Sequence, residues 1–218
     1  MPDLMSGTET DTTRQRIMEA AEIVFAEKGF EAARVRDILR RADVGNIAAV
    51  NYYFGDKERL YIETVKAAHI CCNSNIPFPN WPAGTPAEKK LRDYIHVLVQ
   101  RMFEPQRPAA LQLVFREMAT PSLAGTEIVK EYIQPIAKIL SDILAELIPH
   151  VPDGKRMLFG FSIVGQCLFY LTNRNAIVIL MGDENFQKLD VDHLAEHIAN
   201  FSLAGLGIKA QSPVVSHQ

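Results

Sequence analysis

The chain has 218 residues, of which 48% are hydrophobic and 22% are charged, values typical of a soluble globular protein with a sizeable core. Its formal net charge of -3 excludes a protein that coats nucleic acid with its whole surface, so any DNA contact has to come from a local basic patch. The start of the chain has no basic region followed by an apolar stretch, which predicts a cytoplasmic protein without a secretory signal.

Cysteine content and apolar stretches fit the same compartment. Cys71, Cys72 and Cys167 cannot all pair and lack C-x-x-C spacing, which predicts reduced and inert thiols, with oxidant sensing at Cys71 or Cys72 as the alternative. The longest apolar stretch, residues 157–181, is interrupted by polar and charged residues. It predicts a buried helix and no membrane contact.

The first helix is expected to begin at Thr12, where Thr12 and Gln15 form a T-x-x-Q capping box. Gly29 is well placed to end it. Two shorter helical patterns follow, joined by a tight turn at residues 43–45, and Asp56 then caps the helix that follows Gly55.

Three prolines within residues 73–84 exclude a helix there and predict a domain boundary. Beyond it, helical patterns continue, including a long helix at residues 126–148 with a kink at Pro135. No segment shows the alternation of a strand bounded by hairpin turns. We therefore predict an all-α protein of about nine helices: an amino-terminal three-helix domain, then a helical bundle.

Two short helices joined by a tight turn are typical of a helix-turn-helix, whose second helix enters the major groove. The apolar spacing predicts that Ile47, Val50 and Phe54 turn to the core. The opposite face would then carry the candidate DNA contacts, which are Asn46, Ala48, Ala49, Asn51, Tyr52 and Tyr53.

The residue types on this face suit DNA. An asparagine amide reads an adenine edge, and alanine methyls touch thymine methyls, so Asn51 is the best candidate for base reading. Tyrosine hydroxyls and basic groups bind phosphate, a role that suits Tyr52, Tyr53 and Lys57. Arg34 and Arg36 complete the basic patch. Simple helix packing and a solvated arginine-rich face remain the alternative interpretation of the same pattern.

At this point the segment resembles the DNA-binding domain of the TetR family of transcriptional regulators. The resemblance rests on the opening Thr-Arg, Gly29 followed by Phe30, and Tyr-Tyr-Phe followed by Lys57, Glu58 and Leu60. The version NIAAVNYYF at residues 46–54 is similar to the CecR-like branch.

The resemblance implies a homodimer that binds operator DNA at residues 12–66 and a small effector through residues 67–208, with repression as the default. Residues 1–11 and 209–218 are expected to be disordered tails. The last two long helices of each subunit would form a four-helix interface, and the apolar residues 157–171 with Gly160 and Gly165 agree with close helix packing.

Two departures from the family pattern concern the DNA-binding segment. Ala33 and Arg34 stand where members commonly carry Ser or Thr, so the second helix lacks a hydroxyl cap worth about 1 kcal/mol. The turn also has an additional residue, which we expect Gly45 to absorb through a positive φ. The register of the recognition helix, and so Asn46 against Asn51, stays open.

The second domain suggests a cavity for an apolar or amphipathic effector. Its candidate lining residues are Met102, Phe103, Phe115, Met118, Gln166, Phe169 and Tyr170. Gln166 or Tyr170 would orient the guest, while ordinary core packing is the alternative for each residue. The kinked helix at Pro135 and the helix after Asp56 are the expected transmitters to the DNA-binding domain.

An enzyme is the weaker alternative. His193, Glu196 and His197 spell the H-x-x-E-H zinc motif, but no downstream ligand helix accompanies it, and short motifs recur by chance. We expect no catalytic residue, no metal and no cofactor.

Overall fold

The fold is described from a computed structural model, which covers residues 6–72, 76–104 and 107–208. Those residues are helical apart from turns and loops and contain no strand, which confirms the all-α class. The helices are α1 (Ser6–Ala32), α2 (Val35–Arg41), α3 (Ala49–Phe54), α4 (Lys57–Cys72), α5 (Ala87–Phe103), α6 (Pro108–Ala119), α7 (Leu123–Ile128), α8 (Gln134–Leu147), α9 (Asp153–Thr172), α10 (Arg174–Met181), α11 (Asp183–Gln187) and α12 (Val191–Gly205).

More helical segments are present than expected because two long helical patterns are broken. A π-helical turn, Val129–Ile133, separates α7 from α8 directly before Pro135, whose ring removes a backbone donor. The expected interruption there is confirmed, although the helix begins at Leu123 rather than 126. The second break is at Asn173, where α9 and α10 meet at an angle of 76°.

The first helix also begins earlier than expected. It starts at Ser6, so Thr12 is not its N-cap and residues 6–11 are not a disordered tail. The other tail residues, 1–5 and 209–218, lie outside the described part of the chain. Gly29 adopts φ 75 and ψ 174, a conformation that ends the regular helix where the sequence placed its end.

The turn of the helix-turn-helix differs in its backbone. Asp43, not Gly45, adopts the left-handed conformation, with φ 52. The guanidinium of Arg16 stabilises this turn because it donates to the backbone oxygens of Ala42 and Asp43. The additional residue is therefore absorbed two residues earlier than expected, at an aspartate, which tolerates a positive φ better than most residues.

Packing divides the chain into two compact units that alternate along the sequence. Among the described residues, the first combines 6–72 with 107–133, and the second combines 76–104 with 134–208. In the first unit, α1, α4 and α6 pack against one another, with α2 on α1 and α3 on α4. The division of function, with DNA binding by residues 12–66 and effector binding by residues 67–208, stays a prediction.

The core of the first unit follows the helical spacing of the sequence. Ile17, Ala21 and Phe25 in α1 are buried, and their spacing of four residues puts them on one side of the helix. Phe25 lies edge-to-face against Tyr61 of α4 with 4.9 Å between ring centroids, a favoured aromatic geometry. Asp56 accepts a hydrogen bond from the backbone of Arg59 at 2.7 Å, which confirms it as the cap of α4.

In the second unit, α5 packs against α8, α9 and α12. The proline-rich segment before α5 lies on this bundle: Phe78 stacks on Tyr94 at 4.9 Å, and the Trp81 indole donates to Asp93 at 3.0 Å. No single described helix is long and apolar enough to span a membrane, and α9 with α10 reaches that length only as a bent pair.

Candidate DNA-binding surface and effector region

The recognition segment presents one continuous exposed face. Ala48, Asn51 and Tyr52 are exposed, and residues three and four apart share a side of a helix. Tyr52 is 77% exposed, which is a large value for an aromatic side chain. Asn46 lies just before the helix, where its side-chain oxygen accepts the Ala48 amide at 2.9 Å. Its amide NH2 group is the part of Asn46 that remains to donate to a base.

Two residues of this segment are turned differently from the prediction. Ala49 is 5% exposed and packs in the core, so it is not available to DNA. Ile47, expected in the core, is 55% exposed. The reason is that Asn46 to Ala48 form a turn rather than helix, so α3 begins at Ala49 and the helical phase starts there. Sequence reasoning missed Ile47 because it extended the helical period through that turn.

Tyr53 and Lys57 lie at the margin of this face. Tyr53 is half-buried, packs against the core of the first unit and lies edge-to-face with Tyr52 at 4.8 Å. The Lys57 ammonium lies 4.4 Å above the centre of the Phe30 ring. A cation held over an aromatic face in this way is kept in position while its other side stays open to an anion.

Acidic partners divide the arginines of this region into two sets. Arg40 pairs with Asp37 at 3.1 Å and Arg41 lies 3.8 Å from Glu27. Within the described residues, Arg34 and Arg36 are exposed and make no ion pair. Their guanidinium groups are thus open to a phosphate, and their role as phosphate contacts stays a prediction.

The start of α2 confirms the expected departure from the family pattern. Arg34 is the N-cap residue, with φ -104 and ψ 140, and its side chain makes no capping hydrogen bond. Ala33 is 2% exposed and lies in the core. The Arg34 side chain therefore satisfies none of the free backbone N–H groups in the first turn of α2.

A buried carboxylate that the sequence analysis missed joins α4 to α6. Glu117 is 2% exposed, and the Tyr61 hydroxyl donates to its Oε2 at 2.6 Å. Its Oε1 accepts the backbone amides of Ser122 and Gly125 at 2.5 and 2.8 Å. Burial would raise the pKa of Glu117, but the hydrogen bonds from Ser122, Tyr61 and Gly125 outweigh it and lower the pKa. The group is thus held ionised inside the first unit.

Glu117 also changes the buried face of α6. The sequence of α6 carries the apolar residues Leu111, Val114, Phe115 and Met118 at helical spacing. The buried residues are instead Ala110, Leu113 and Glu117, and Met118 is 45% exposed. A hydrophobic pattern does not count a charged residue as core, so nothing in the sequence indicated that Glu117 is buried, whereas Leu111, Val114 and Phe115 are half-buried.

The candidate effector residues do not form one described cluster. Met102, Phe103 and Tyr170 pack against the core of the second unit, and Phe169 is 53% exposed. Gln166 is 3.4 Å from the Ser202 hydroxyl. Phe115 and Met118 belong to the first unit. The role of these seven residues in effector binding stays a prediction.

The remaining sequence candidates have plain structural roles. Cys167 is 1% exposed, and burial raises the pKa of its thiol to about 12, which makes it unreactive. The side chains of Cys71 and Cys72 lie outside the described residues. His193 is bound to Asp190, the cap of α12, at 2.8 Å, and no group of three metal-binding side chains occurs in the described part of the chain.

An all-helical chain with an exposed recognition segment between α2 and α4 defines a helix-turn-helix protein. Its residues 17–64 match the family described as bacterial regulatory proteins, tetR family. Residues 87–206, more than half of the chain, match the carboxyl-terminal domain of the HTH-type transcriptional dual regulator CecR. The chain belongs to the TetR family of transcriptional regulators, with a carboxyl-terminal domain of the CecR type. It is a regulator rather than an enzyme.

Curated relatives agree with this assignment. The chain is 37% identical over 67 residues to the HTH-type transcriptional repressor NicS of Pseudomonas putida, which is 31% of this chain and 30% of the relative. It is 26% identical over 137 residues to the probable HTH-type transcriptional regulator YttP of Bacillus subtilis, which is 62% of this chain and 64% of the relative. The matches thus span less than two thirds of either relative.

Solved structures show the same fold. A TetR-like transcriptional regulator from Rhodococcus sp. RHA1 matches with a TM-score of 0.60 at 14% identity, over 89% of this chain and 96% of that one. HlyIIR, a hemolysin II transcriptional regulator, matches with a TM-score of 0.56 at 22% identity, over 86% and 97%. At such identities the likeness concerns the fold alone.

Proposed function

We propose that this regulator is a ligand-responsive repressor that acts in the cytoplasm and binds a pseudo-palindromic operator as a homodimer. Residues 12–66 bind DNA, and residues 67–208 bind the effector and dimerise. The observation that carries the DNA-binding part is the exposed face of Asn46, Ala48, Asn51 and Tyr52, with large exposure at Tyr52.

On this face, some residues suit contacts to bases and others suit contacts to phosphates. Asn51 suits base reading, and Ile47 adds an exposed apolar group for a thymine methyl. Tyr52, Tyr53 and Lys57 bind phosphate together with Arg34 and Arg36. Ala49 is left out because it is buried. In a twofold dimer, two such faces lie about 34 Å apart, one turn of DNA.

Random-oligonucleotide selection with the full chain gives the operator, and binding of that operator then tests the face. Asn51→Ala should weaken binding by about 1–3 kcal/mol and relax the preference at one base position. Tyr52→Phe removes only a hydroxyl and should weaken all sequences alike. Asn80→Ala, at an exposed position in the loop before α5, is the matched control. Unchanged affinity for both variants of the recognition segment would refute the assignment, and a selection without enrichment would refute sequence-specific binding.

The effector part of the proposal rests on the second unit. Met102, Phe103 and Tyr170 border its core, where a small apolar guest would replace core contacts, and Gln166 adjoins them along α9, whereas Phe169 is exposed. The guest binds better to a dimer whose recognition helices are wrongly spaced, which lowers operator affinity by linkage.

Thermal-shift screening of apolar and amphipathic compounds tests this. A true effector raises the melting temperature and lowers operator affinity in the same concentration range. Tyr170→Ala should weaken that response while operator binding without effector is retained. A compound that stabilises the protein and leaves operator affinity unchanged is not an effector, and a complete absence of responsive compounds in a broad library would count against ligand control.

The homodimer is supported by the exposed surface of α9 and α12. Met157, Leu158 and Phe161 of α9 are 57–64% exposed, and Phe201 of α12 is 64% exposed. Exposed apolar side chains of this size mark a site of protein contact. Sedimentation equilibrium should show a dimer that Phe161→Glu converts to monomer, and a monomeric wild-type chain would refute it.

A further inference from the structure

The helix α10 displays apolar side chains that its own unit does not cover. Ile177 is 5% exposed and anchors the helix, whereas Ile179 and Leu180 are 83% and 82% exposed. The helix leaves α9 at Asn173 with a bend of 76°, so it is directed away from the α9 axis. Two adjacent large aliphatic side chains exposed to this degree suggest a surface that another molecule covers.

The same unit also has a groove, a concave surface that contrasts with the protruding apolar side chains of α10. It lies between α8 and α9, has a volume of about 720 Å³, and includes Met157 and Phe161 near the start of α9. On the α8 side it is lined by the small side chains of Ala137, Ser141 and Ala145, which lie four residues apart on one side of the helix. Polar and charged side chains complete the lining, namely Gln134, Lys138 and Asp142 on α8 and Asp153 and Arg156 on α9. The small side chains leave the space that two aliphatic groups would fill.

The exposed stripe of α9 suggests how two copies meet. Met157, Phe161, Gly165 and Phe169 recur every four residues, and nothing lies within 4 Å of the place where a side chain on Gly165 would begin. In a twofold interface each residue pairs with its counterpart in reverse order. Crossing of two antiparallel α9 helices at Gly165 would set Phe161 of one copy beside Phe169 of the other.

This crossing places α10 near the groove of the second copy. Residue 173, where α10 begins, and residue 157, in the groove wall, are equally far from Gly165, on the order of 12 Å along the helix. Antiparallel packing therefore brings the start of α10 in one copy to the groove end of α9 in the other. Met157 and Phe161 belong to both the stripe and the groove, so the two surfaces are continuous.

We infer that α10 is a dimerisation arm whose Ile179 and Leu180 fill the α8–α9 groove of a second copy of this chain. This rests on the proposed homodimer and extends it beyond the four-helix interface. Obligate homodimers bury roughly 1,000–2,500 Å² of surface per subunit, of which the five exposed large apolar side chains of α9 and α12 supply only a part. The arm and groove supply a large apolar addition.

Cross-linking tests the contact directly. The double variant Ile179→Cys with Ser141→Cys, treated with a short bismaleimide, should give a covalent dimer on a denaturing gel. The wild type and each single variant are the controls, since they carry the same native cysteines. Sedimentation of the untreated double variant establishes whether it is a dimer before the reagent is added.

Each outcome separates the arm from the homodimer. A dimer in sedimentation that does not cross-link refutes the arm and leaves the homodimer standing. A monomer refutes both. A monomer that has lost both introduced thiols and gained the mass of a single bismaleimide shows that α10 lies on the groove of its own chain, which also refutes the arm.

A second pair of variants measures the energetic effect. Ile179→Ser with Leu180→Ser should raise the dimer dissociation constant about tenfold or more, because large apolar groups at an interface carry much of the affinity. Ile70→Ser, at a 54% exposed position on α4, is the matched control and should leave it unchanged. Equal dissociation constants for the arm variant and the wild type, with both folded by circular dichroism, would overturn the inference.

Discussion

At the scale of single residues, Glu117 is the most consequential side chain that the structure revealed. Its carboxylate holds a hydroxyl of α4 and two amides at the start of α7. In Glu117→Gln the second oxygen becomes an amide that cannot accept one of these donors. The free energy of unfolding at neutral pH should fall by about 2 kcal/mol, as measured by urea titration.

The difference in stability between the wild type and Glu117→Gln should depend on pH. Because the pKa of Glu117 is lowered in the folded state, its contribution is present above the ordinary glutamate pKa and is lost as pH falls through the folded value. The wild type and Glu117→Gln should converge in stability below about pH 4.5. Tyr61→Phe, which removes one donor only, should lose less. Parallel curves across this range would contradict the assignment.

Gly29 carries the second prediction at this scale. Its φ of +75 is unfavourable for any residue with a side chain, and an added Cβ would meet Arg116 Nη1 at 2.7 Å. Gly29→Ala should lower stability by about 1–2 kcal/mol, measured by thermal unfolding. Gly45→Ala is the matched control, since Gly45 has no positive φ and open space around it. Equal melting temperatures would contradict the strain.

At the scale of elements, the uncapped start of α2 separates stability from binding. Arg34→Ser supplies a side-chain acceptor at the N-cap and should raise stability by about 1 kcal/mol. The same change removes a proposed phosphate contact, so operator affinity should fall. Thermal unfolding and a shift assay on one protein preparation measure both. A variant that is no more stable than the wild type would show that water or backbone already satisfies these donors.

At the scale of the whole molecule, a net charge of -3 means that DNA binding depends on few cations. Arg34, Arg36 and Lys57 give about six phosphate contacts per dimer, so the logarithm of affinity should fall with the logarithm of salt with a slope near -5. Arg36→Ala should reduce the slope by about 2, one contact per subunit. Lys155→Ala, in α9, is the control. A slope unaffected by Arg36→Ala would remove it from the interface.

The sequence alone determined the all-α class, the helix-turn-helix, the cap at Asp56 and the end of the first helix at Gly29. These depend on local rules, namely apolar spacing, capping chemistry and the backbone freedom of glycine, which operate within a few residues. The roles of Arg34 and Arg36 as phosphate contacts stay predictions, although both side chains are exposed as the sequence suggested.

Tertiary structure decided the rest. A turn stabilised by Arg16 from another helix moved the positive φ to Asp43, and the start of α3 at Ala49 exposed Ile47. The buried face of α6 depends on Tyr61 and the start of α7, which satisfy a carboxylate that no hydrophobic pattern would place inside. These outcomes depend on partners far along the chain, whose positions only the packed fold supplies.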